Sequence, residues 1–423
     1  MNNLNKKKFF LTIPSLLIIF LPISLITGPF LADLSVTLVS LIFLTYTYYT
    51  KDYQWFNNLF FKIFIFFYLY IVFTSIISSH TLYSLKTSLT SIRFILFPLA
   101  FYYLLSSNKN LLTYIFYSFT FCYLILIIDG HFQYFTNYNI LGWMISKNIR
   151  VSSFFGDEYI MGSYLARLFP IYFSLFVFNY KTIKEKIFFK YIIFFIFLLS
   201  SSIIFLSGER VAFAYYITSL FLIIILTKNF KILKFFLLFF SILIILGYLF
   251  SDTKINNRMM HKTMQNLGIT SLEGGLINRK YVFSKSLDDI HKTGLNIFKS
   301  NYFFGVGVKN FRKECEDYRI SEYSCSTHPH NTYVQLLAET GIFGFIIIFS
   351  FFFYFTLKSI QHLLFKFYKK KSIFSDFQIG ILCSMLITLF PAVPTGSFFN
   401  NWMMIVYCFP VGIWLWSLKN AHN

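Results

Sequence analysis

Apolar runs of about 20 residues recur along nearly the whole chain, and they constrain its fold more than any other feature. A helix needs about 20 mostly apolar residues to cross the hydrocarbon core of a bilayer. The chain is 57% hydrophobic and only 13% charged, whereas a soluble domain carries about 25% charged residues. We therefore predict an all-α polytopic membrane protein with about 12 transmembrane helices, near residues 9–27, 29–49, 57–78, 86–105, 111–129, 159–179, 187–206, 210–227, 231–250, 335–357, 377–393 and 399–417.

The basic residues indicate how these spans are oriented. The chain carries 37 Lys and Arg against 17 Asp and Glu, a formal net charge of +20. Basic residues accumulate in the cytoplasmic loops of membrane proteins, and this rule explains the charge without a nucleic-acid partner. A single orientation, with both termini inside, places every lysine cluster in the cytoplasm, namely Lys51, Lys109, Lys181 with Lys184 and Lys186, Lys228 with Lys231 and Lys234, and Lys366 with Lys369, Lys370 and Lys371.

One long polar segment, residues 251–334, interrupts the spans. It carries about one charge for every four residues, which is too many for a membrane helix. We predict a mainly helical periplasmic loop domain over 251–334. It separates a membrane domain of nine spans over 1–250 from a second one of three spans over 335–423. No feature of the sequence indicates the oligomeric state.

Two cysteines lie in this predicted loop domain. Cys315 and Cys325 are ten positions apart, and an oxidising compartment would allow them to form a disulfide. The alternative is a metal site that adds His328 and His330. The spacing Cys-x9-Cys-x2-His-x-His is not a standard zinc pattern, so we favour the disulfide and predict no metal.

The segment His328–Pro329–His330–Asn331 lies where the polar loop meets the tenth apolar run. Asn331 is a natural N-cap for a helix that starts near Thr332. His330 would then lie at the positive end of a helix, where an imidazole resists protonation and suits general-base catalysis. The plainer alternative is a histidine that only caps the helix and bonds a loop carbonyl.

Three residues inside the tenth span extend this pattern. Glu339 is an acidic residue within a predicted membrane helix. Burying an acid in a membrane is energetically costly, so such a residue indicates function by default and is expected to have a cationic partner. Gly341 and Gly344 lie one turn apart and would permit close helix packing.

Arginines supply the second set of candidates. Arg210 ends the turn Ser207–Gly208–Glu209–Arg210 between two spans, and Arg279 opens a segment of the loop. An arginine binds the two oxygens of a phosphate with a planar fork and always stays charged. The alternatives are an interfacial arginine that snorkels to water, for Arg210, and a solvated charge on a loop helix, for Arg279. The sequence shows no Gly-rich nucleotide loop, no Asp-x-Asp pair and no nucleophile elbow, which argues against a nucleotide-sugar donor and a covalent serine intermediate.

The order and spacing of these elements resemble the O-antigen ligase family of bacterial membrane glycosyltransferases. His330–Asn331 is followed by nine residues, Gly341, two more residues and Gly344. A Ser-x-x-Arg turn and a loop arginine followed by a Gly-x-Gly-x-x-x-Phe turn complete the likeness, here Ser207 to Arg210, Arg279, and Gly305 to Phe311.

The resemblance implies transfer of a glycan from undecaprenyl diphosphate to a sugar hydroxyl of lipid A-core, on the periplasmic face of a bacterial inner membrane, with membrane lipids as surroundings. Arg210 and Arg279 would engage the diphosphate and His330 would activate the acceptor, without metal, nucleotide or other cofactor. Arg150 is a further candidate for the same basic pocket. His328, Asn331 and Glu339 are further substrate-binding candidates, and His328 leaves two histidines to choose between.

Three other functions remain open at this point. An O-antigen polymerase and a protein-directed oligosaccharyltransferase belong to the same superfamily. A glycolipid flippase or transporter belongs to another class and predicts charges spread through many spans, with helices broken at the midplane. The candidate charges of this chain gather at one predicted face, which favours an enzyme.

Overall fold

The computed structural model describes residues 3–145, 150–249, 254–261, 263–264, 284–369 and 371–419. Within these ranges the protein is built from helices and contains no β-strand, as the sequence predicts. The long helices are α1 Asn3–Thr27, α2 Pro29–Thr50, α3 Leu59–Ile76, α4 Thr81–Thr90, α5 Ile92–Ser107, α6 Leu111–Thr136, α7 Met161–Glu185, α8 Ile187–Leu206, α9 Arg210–Leu226, α10 Lys231–Leu249, α11 Lys285–Ser300, α12 Phe311–Tyr318, α13 Thr332–Tyr368, α14 Asp376–Thr388 and α15 Asn401–Lys419.

The apolar runs of the sequence fall on these helices. Among the described residues, nine helical segments are long and apolar enough to cross a membrane, with α4 and α5 forming one of them. The helices α9 and α14 are apolar but shorter, with 17 and 13 residues. The chain is therefore a multi-pass membrane protein, in which some predicted spans are shorter than a full bilayer crossing.

Successive helices run in opposite directions, so the turns between them alternate between two ends of the bundle. Contacts between turns that are distant in sequence show which turns share an end. At one end, the Asp376 carboxylate accepts hydrogen bonds from the backbone N–H groups of Lys228 and Asn229 at 2.8 and 2.9 Å. This lysine end also carries Lys51 and Lys109. The opposite end, here called the loop end, comprises Gly28 and residues 77–80, 137–145, 150–160, 207–209, 254–261, 284–331 and 389–400.

Among the nine segments, α7 is the most buried. In an apolar stretch of 18 residues within it, 83% of the residues are buried inside the protein. It packs against α6, α8, α9 and α14. Gly380 of α14 makes one of these approaches possible, because a Cβ there would lie 2.8 Å from the carbonyl oxygen of Pro170 in α7. The span α7 is thus enclosed by four other helices.

The helix α13 is broken at Gly341, which adopts φ 65° and ψ −167°, a conformation that only glycine adopts without strain. A Cβ at Gly341 would lie 2.2 Å from the carbonyl oxygen of Phe303. The backbone of residues 302–307 packs into the break, and the N–H of Ile342 donates to the carbonyl of Tyr302 at 2.9 Å. The glycine is needed for the break and for this turn, and not for the helix-helix packing that its spacing suggested.

A small apolar core holds the loop segment together. The helix α11 begins at Ser284, whose hydroxyl accepts the N–H of Leu287, and its buried face contributes Ile290 and Ile297. This face packs with Val306, Phe311, Cys315 and Ala338. Cys315 is joined to Cys325 by a disulfide, with the two Cα atoms 5.5 Å apart.

Candidate functional site

The first turn of α13 is fixed by Asn331. Its side-chain oxygen accepts the N–H groups of Tyr333 and Val334 at 2.9 and 3.1 Å, which confirms the predicted N-cap. The amide nitrogen of the same side chain donates to the carbonyl oxygens of Pro391 and Val393. Asn331 is 8% exposed, and these four hydrogen bonds position the helix start against the loop 389–400.

His330 precedes this cap with a left-handed backbone, φ 55°. Its carbonyl oxygen accepts the N–H of Thr395 at 2.8 Å, and its Nε2 lies 3.0 Å from the hydroxyl of Ser326. Burial lowers the pKa of His330 below its ordinary value, so the imidazole is neutral at pH 7. A neutral, half-buried imidazole beside a hydroxyl is chemically competent to accept a proton.

Two further histidines surround His330. The ring centroid of His328 lies 4.1 Å from that of His330, and burial together with the neighbouring His330 lowers the pKa of His328 to about 4. On α11, His291 bonds the backbone of His330, and burial lowers its pKa as well. Sequence reasoning missed His291, because a lone histidine 39 positions away carries no motif.

The turn 207–210 is anchored by Glu209. Its carboxylate accepts the N–H groups of Gly162 and Ser163 and the hydroxyl of Ser163, at 2.7, 3.2 and 2.6 Å. The acid therefore caps the N-terminus of α7. Burial raises the pKa of Glu209 to about 6. Arg210 begins α9 directly after this anchor and is partly exposed.

Two more arginines lie against the same turn. The Nε of Arg150 donates to the carbonyl of Ser207 at 3.3 Å, and the Nε of Arg258 donates to that of Gly208 at 2.9 Å. Burial lowers the pKa of Arg150, and nearby Glu209 opposes this shift. Arg150, Arg210 and Arg258 form a basic cluster. Arg258 was missed because no motif marks it in the loop.

Arg279 lies outside the described residues. Its predicted role stays a prediction. The Gly305–Phe311 turn, which follows Arg279 in the family pattern, lies within the described residues. This turn contacts α13, because the N–H of Gly307 donates to the carbonyl of Glu339 at 2.9 Å.

Glu339 supports this contact from inside α13. Its carboxylate accepts the N–H groups of Lys309 and Phe311 at 2.9 and 3.3 Å and the side-chain amide of Gln335 at 3.0 Å. The acid is 0% exposed. It forms no ion pair within the described ranges, so the expected cationic partner is replaced by amide donors. The observed contacts of Glu339 hold the Gly305–Phe311 segment on α13.

A buried polar group links the start of α9 with the start of α13. Arg167 of α7 stacks on the ring of Tyr215 in α9, with its guanidinium carbon 4.3 Å from the ring centroid. On α15, the Tyr407 hydroxyl lies 3.1 Å from that of Thr332 at the start of α13. An arginine inside an apolar span indicates a functional residue. Arg167 could have been recognised in this way from the sequence, but it belongs to none of the motifs.

Potential metal ligands are scarce in the described part of the chain. One group of histidine, cysteine and acidic side chains there has ligand atoms within 4.8 Å of one another, and it consists of Cys315, Glu316 and Cys325. The two sulfur atoms of this group are bonded to each other. The histidine cluster around His330 is not part of it.

Comparison with known protein families finds a match for part of the chain. Residues 195–349 match the family model described as "O-Antigen ligase". A search of the curated proteins finds no match. The matched range includes Arg210, His328 and His330, and it supports an enzyme of the ligase or polymerase type, a membrane glycosyltransferase acting on glycans and lipid-linked substrates. The match over residues 195–349 supports an O-antigen ligase family relationship for that part of the chain.

Proposed function

We propose that this protein transfers a glycan from undecaprenyl diphosphate to a sugar hydroxyl of lipid A-core, at the periplasmic face of a bacterial inner membrane. The observation that carries the proposal is the placement of the basic cluster and of His330 at the same end of the bundle. The 207–210 turn before α9 and the start of α13 both belong to the loop end, and each carries one half of the family pattern.

The proposed reaction is a direct displacement at the anomeric carbon. His330 accepts the proton of the acceptor hydroxyl as its oxygen bonds to the anomeric carbon. The bond from that carbon to the diphosphate breaks, and the diphosphate leaves with the electron pair. Because attack and departure occur on opposite faces, the configuration at this carbon inverts.

The arginines have a separate task in this proposal. Arg150 and Arg210, with Arg279 from the loop, bind the diphosphate and stabilise the negative charge that grows on it as the bond breaks. Arg258 belongs to the same cluster by its contact with Gly208. Concentrated positive charge is unfavourable without an anion, so the cluster is suited to a ligand with several negative charges.

A transporter is the candidate from another class. Broken helices are common in transporters, and α13 is broken at Gly341. That break is filled by the backbone of residues 302–307, and the described contacts leave no open site there. This favours the enzyme.

The test is transfer by the purified protein from a defined undecaprenyl-diphosphate glycan, in detergent and with EDTA present. Isolated lipid A-core is the first acceptor and a second lipid-linked glycan is the other. We expect a glycosylated lipid A-core in the first reaction. Extension of the lipid-linked glycan alone would identify a polymerase, and binding of the donor without any transfer would favour the transporter.

A further inference from the structure

Arg167 lies inside the span α7 and has no counter-ion among the described residues. It is 3% exposed. Its Nη2 donates to the hydroxyl of Tyr215 at a long 3.3 Å, whereas its Nε and Nη1 are buried and have no hydrogen-bond partner in the described ranges. No carboxylate of the described residues lies within ion-pair distance of it.

This arrangement is unfavourable for the protein alone. A buried charge normally requires both a partner of opposite sign and donors or acceptors for all its polar atoms. The stacking on Tyr215 compensates only in part, because a cation–π contact contributes about 0.5–2 kcal/mol, whereas an unpaired buried charge costs several kcal/mol. The two unused donors, Nε and Nη1, are charged N–H groups suited to the oxygens of a phosphate or carboxylate.

The depth of Arg167 is suitable for a lipid phosphate. It lies six residues beyond Met161, where α7 begins, which is about 9 Å along the helix axis. The 25 residues of α7 extend about 37 Å, longer than the roughly 30 Å of hydrocarbon. Arg167 therefore lies near the boundary between the hydrocarbon and the headgroups.

The surroundings of Arg167 are polar on the side of His330. The hydroxyl of Thr332 lies 2.9 Å from that of Thr395 and 3.1 Å from that of Tyr407. The N–H of Thr395 in turn bonds the carbonyl of His330. Polar groups thus continue from Tyr407 through Thr332 and Thr395 to the proposed base.

We propose that Arg167 is an anion-binding residue at the base of this site, and that its Nε and Nη1, which lie on different edges of the guanidinium, each donate to an oxygen of the donor's diphosphate. The proposal rests on the proposed function and adds to it a phosphate ligand outside the matched range 195–349. No bond is made or broken by Arg167, and its role is to hold the donor's charge.

The stability of variants separates this role from a structural one. Replacing an unpaired buried charge by an apolar side chain of similar size is neutral or stabilising. Arg167→Met should therefore keep or raise the melting temperature of the ligand-free protein. The matched control is Arg93→Met, because Arg93 pairs with Asp33 at 2.8 Å and its loss leaves that acid unpaired, so the melting temperature of the control should fall.

Binding is measured with undecaprenyl diphosphate, which carries no glycan, and with undecaprenol, which carries no phosphate. We expect Arg167→Met to raise the Kd for undecaprenyl diphosphate at least tenfold and to leave the Kd for undecaprenol unchanged. Arg167→Lys should recover only part of the affinity, because it lacks the fork.

The outcomes are distinguishable. If wild type binds undecaprenyl diphosphate more tightly than undecaprenol but Arg167→Met binds it equally well, the anion-binding role of Arg167 is overturned. A lowered melting temperature of Arg167→Met would likewise assign it a structural role. If the wild type does not distinguish the two lipids, the proposed function itself fails.

Discussion

The imidazole rings of His328 and His330 lie 4.1 Å apart between their centroids, at an interplanar angle of 49°. Burial disfavours the charged form of both rings, and repulsion from His330 adds to this effect at His328. The pKa of His328 is lowered to about 4, and burial lowers the pKa of His330. His291 and Arg312 also face this pair and disfavour further positive charge. Both rings are therefore neutral near pH 7.

The first prediction is a pH profile for transfer. Because the pKa of His330 is lowered, its imidazole remains able to accept a proton as the pH falls through 6.5, the ordinary value. Activity should decline only below the lowered pKa of His330. His328→Ala admits water to the remaining ring, so the pKa of His330 should rise towards 6.5 and the acid limb of the profile should move to higher pH. The measurement is kcat/KM from pH 4.5 to 8.5.

Substitution of each histidine in turn tests which of the two is the base. His330→Ala should lower kcat about 10²–10⁴-fold, the usual effect of losing a general base, with donor affinity kept. His328→Ala should have a milder effect. If His328→Ala abolishes transfer while His330→Ala retains it, the assignment by spacing is wrong.

The start of α13 could be predicted because its determinants are local. Asn331 caps the helix as the sequence suggested, since an N-cap requires only the three residues that follow it. The neighbours of His330 could not be predicted in the same way. His291 reaches it from α11 and Thr395 from the turn between α14 and α15, and no sequence spacing encodes such contacts between distant segments.

The second prediction concerns the basic cluster. Arg210→Lys keeps the charge but loses the planar fork, so donor affinity and rate should both fall, by about tenfold or more if a bidentate contact worth 1.5–3 kcal/mol is lost. Lys313→Gln is the control, because Lys313 lies on α12 away from the 207–210 turn. Donor Kd and single-turnover rate are the measurements. Equal values for Arg210→Lys and wild type would remove Arg210 from the diphosphate site.

The third prediction is that Gly341→Ala destabilises the protein. The conformation φ 65°, ψ −167° is strained for alanine, which costs about 1–3 kcal/mol, and the new Cβ would collide with the carbonyl of Phe303. Gly247→Ala is the control, because no atom lies within 4 Å of a Cβ at that helical position, and alanine favours helices. Denaturation in detergent should show a lower melting temperature for Gly341→Ala alone. Equal melting temperatures would mean that the break is not rigidly held.

The break in α13 also shows a limit of pattern reading. The two glycines of the motif are spaced as in a helix interface, and spacing alone indicated close helix packing. The structure uses Gly341 for a conformation and for a backbone contact with residues 302–307, while Gly344 faces Thr340 and Tyr70. The spacing of the glycines indicates that another segment approaches the helix closely. Tertiary packing determines which segment that is.

The fourth prediction is the effect of the disulfide. Cys315 and Cys325 close a loop of ten positions, and a bond of this kind contributes about 2–3 kcal/mol. A reducing agent should lower the melting temperature of wild type and leave the double variant Cys315→Ser/Cys325→Ser unaffected. The other cysteines, Cys122, Cys383 and Cys408, are buried and should not contribute. An equal response of both proteins to reductant would contradict this assignment.

The fifth prediction is the orientation, which decides whether the basic cluster can meet a periplasmic donor. Glu322 lies in the loop segment and Ser372 lies in the turn before α14, at opposite ends of the bundle, and both are exposed. Because lysines concentrate at the end that carries Ser372, the positive-inside rule places that end in the cytoplasm. In intact cells a charged thiol reagent that does not cross the inner membrane should therefore label Glu322→Cys at once and Ser372→Cys only after the membrane is permeabilised. The double variant Cys315→Ser/Cys325→Ser carrying neither new cysteine gives the background, since its remaining cysteines are buried. The reverse labelling pattern would place His330 and the basic cluster in the cytoplasm, and transfer to a periplasmic acceptor would then be impossible at this site.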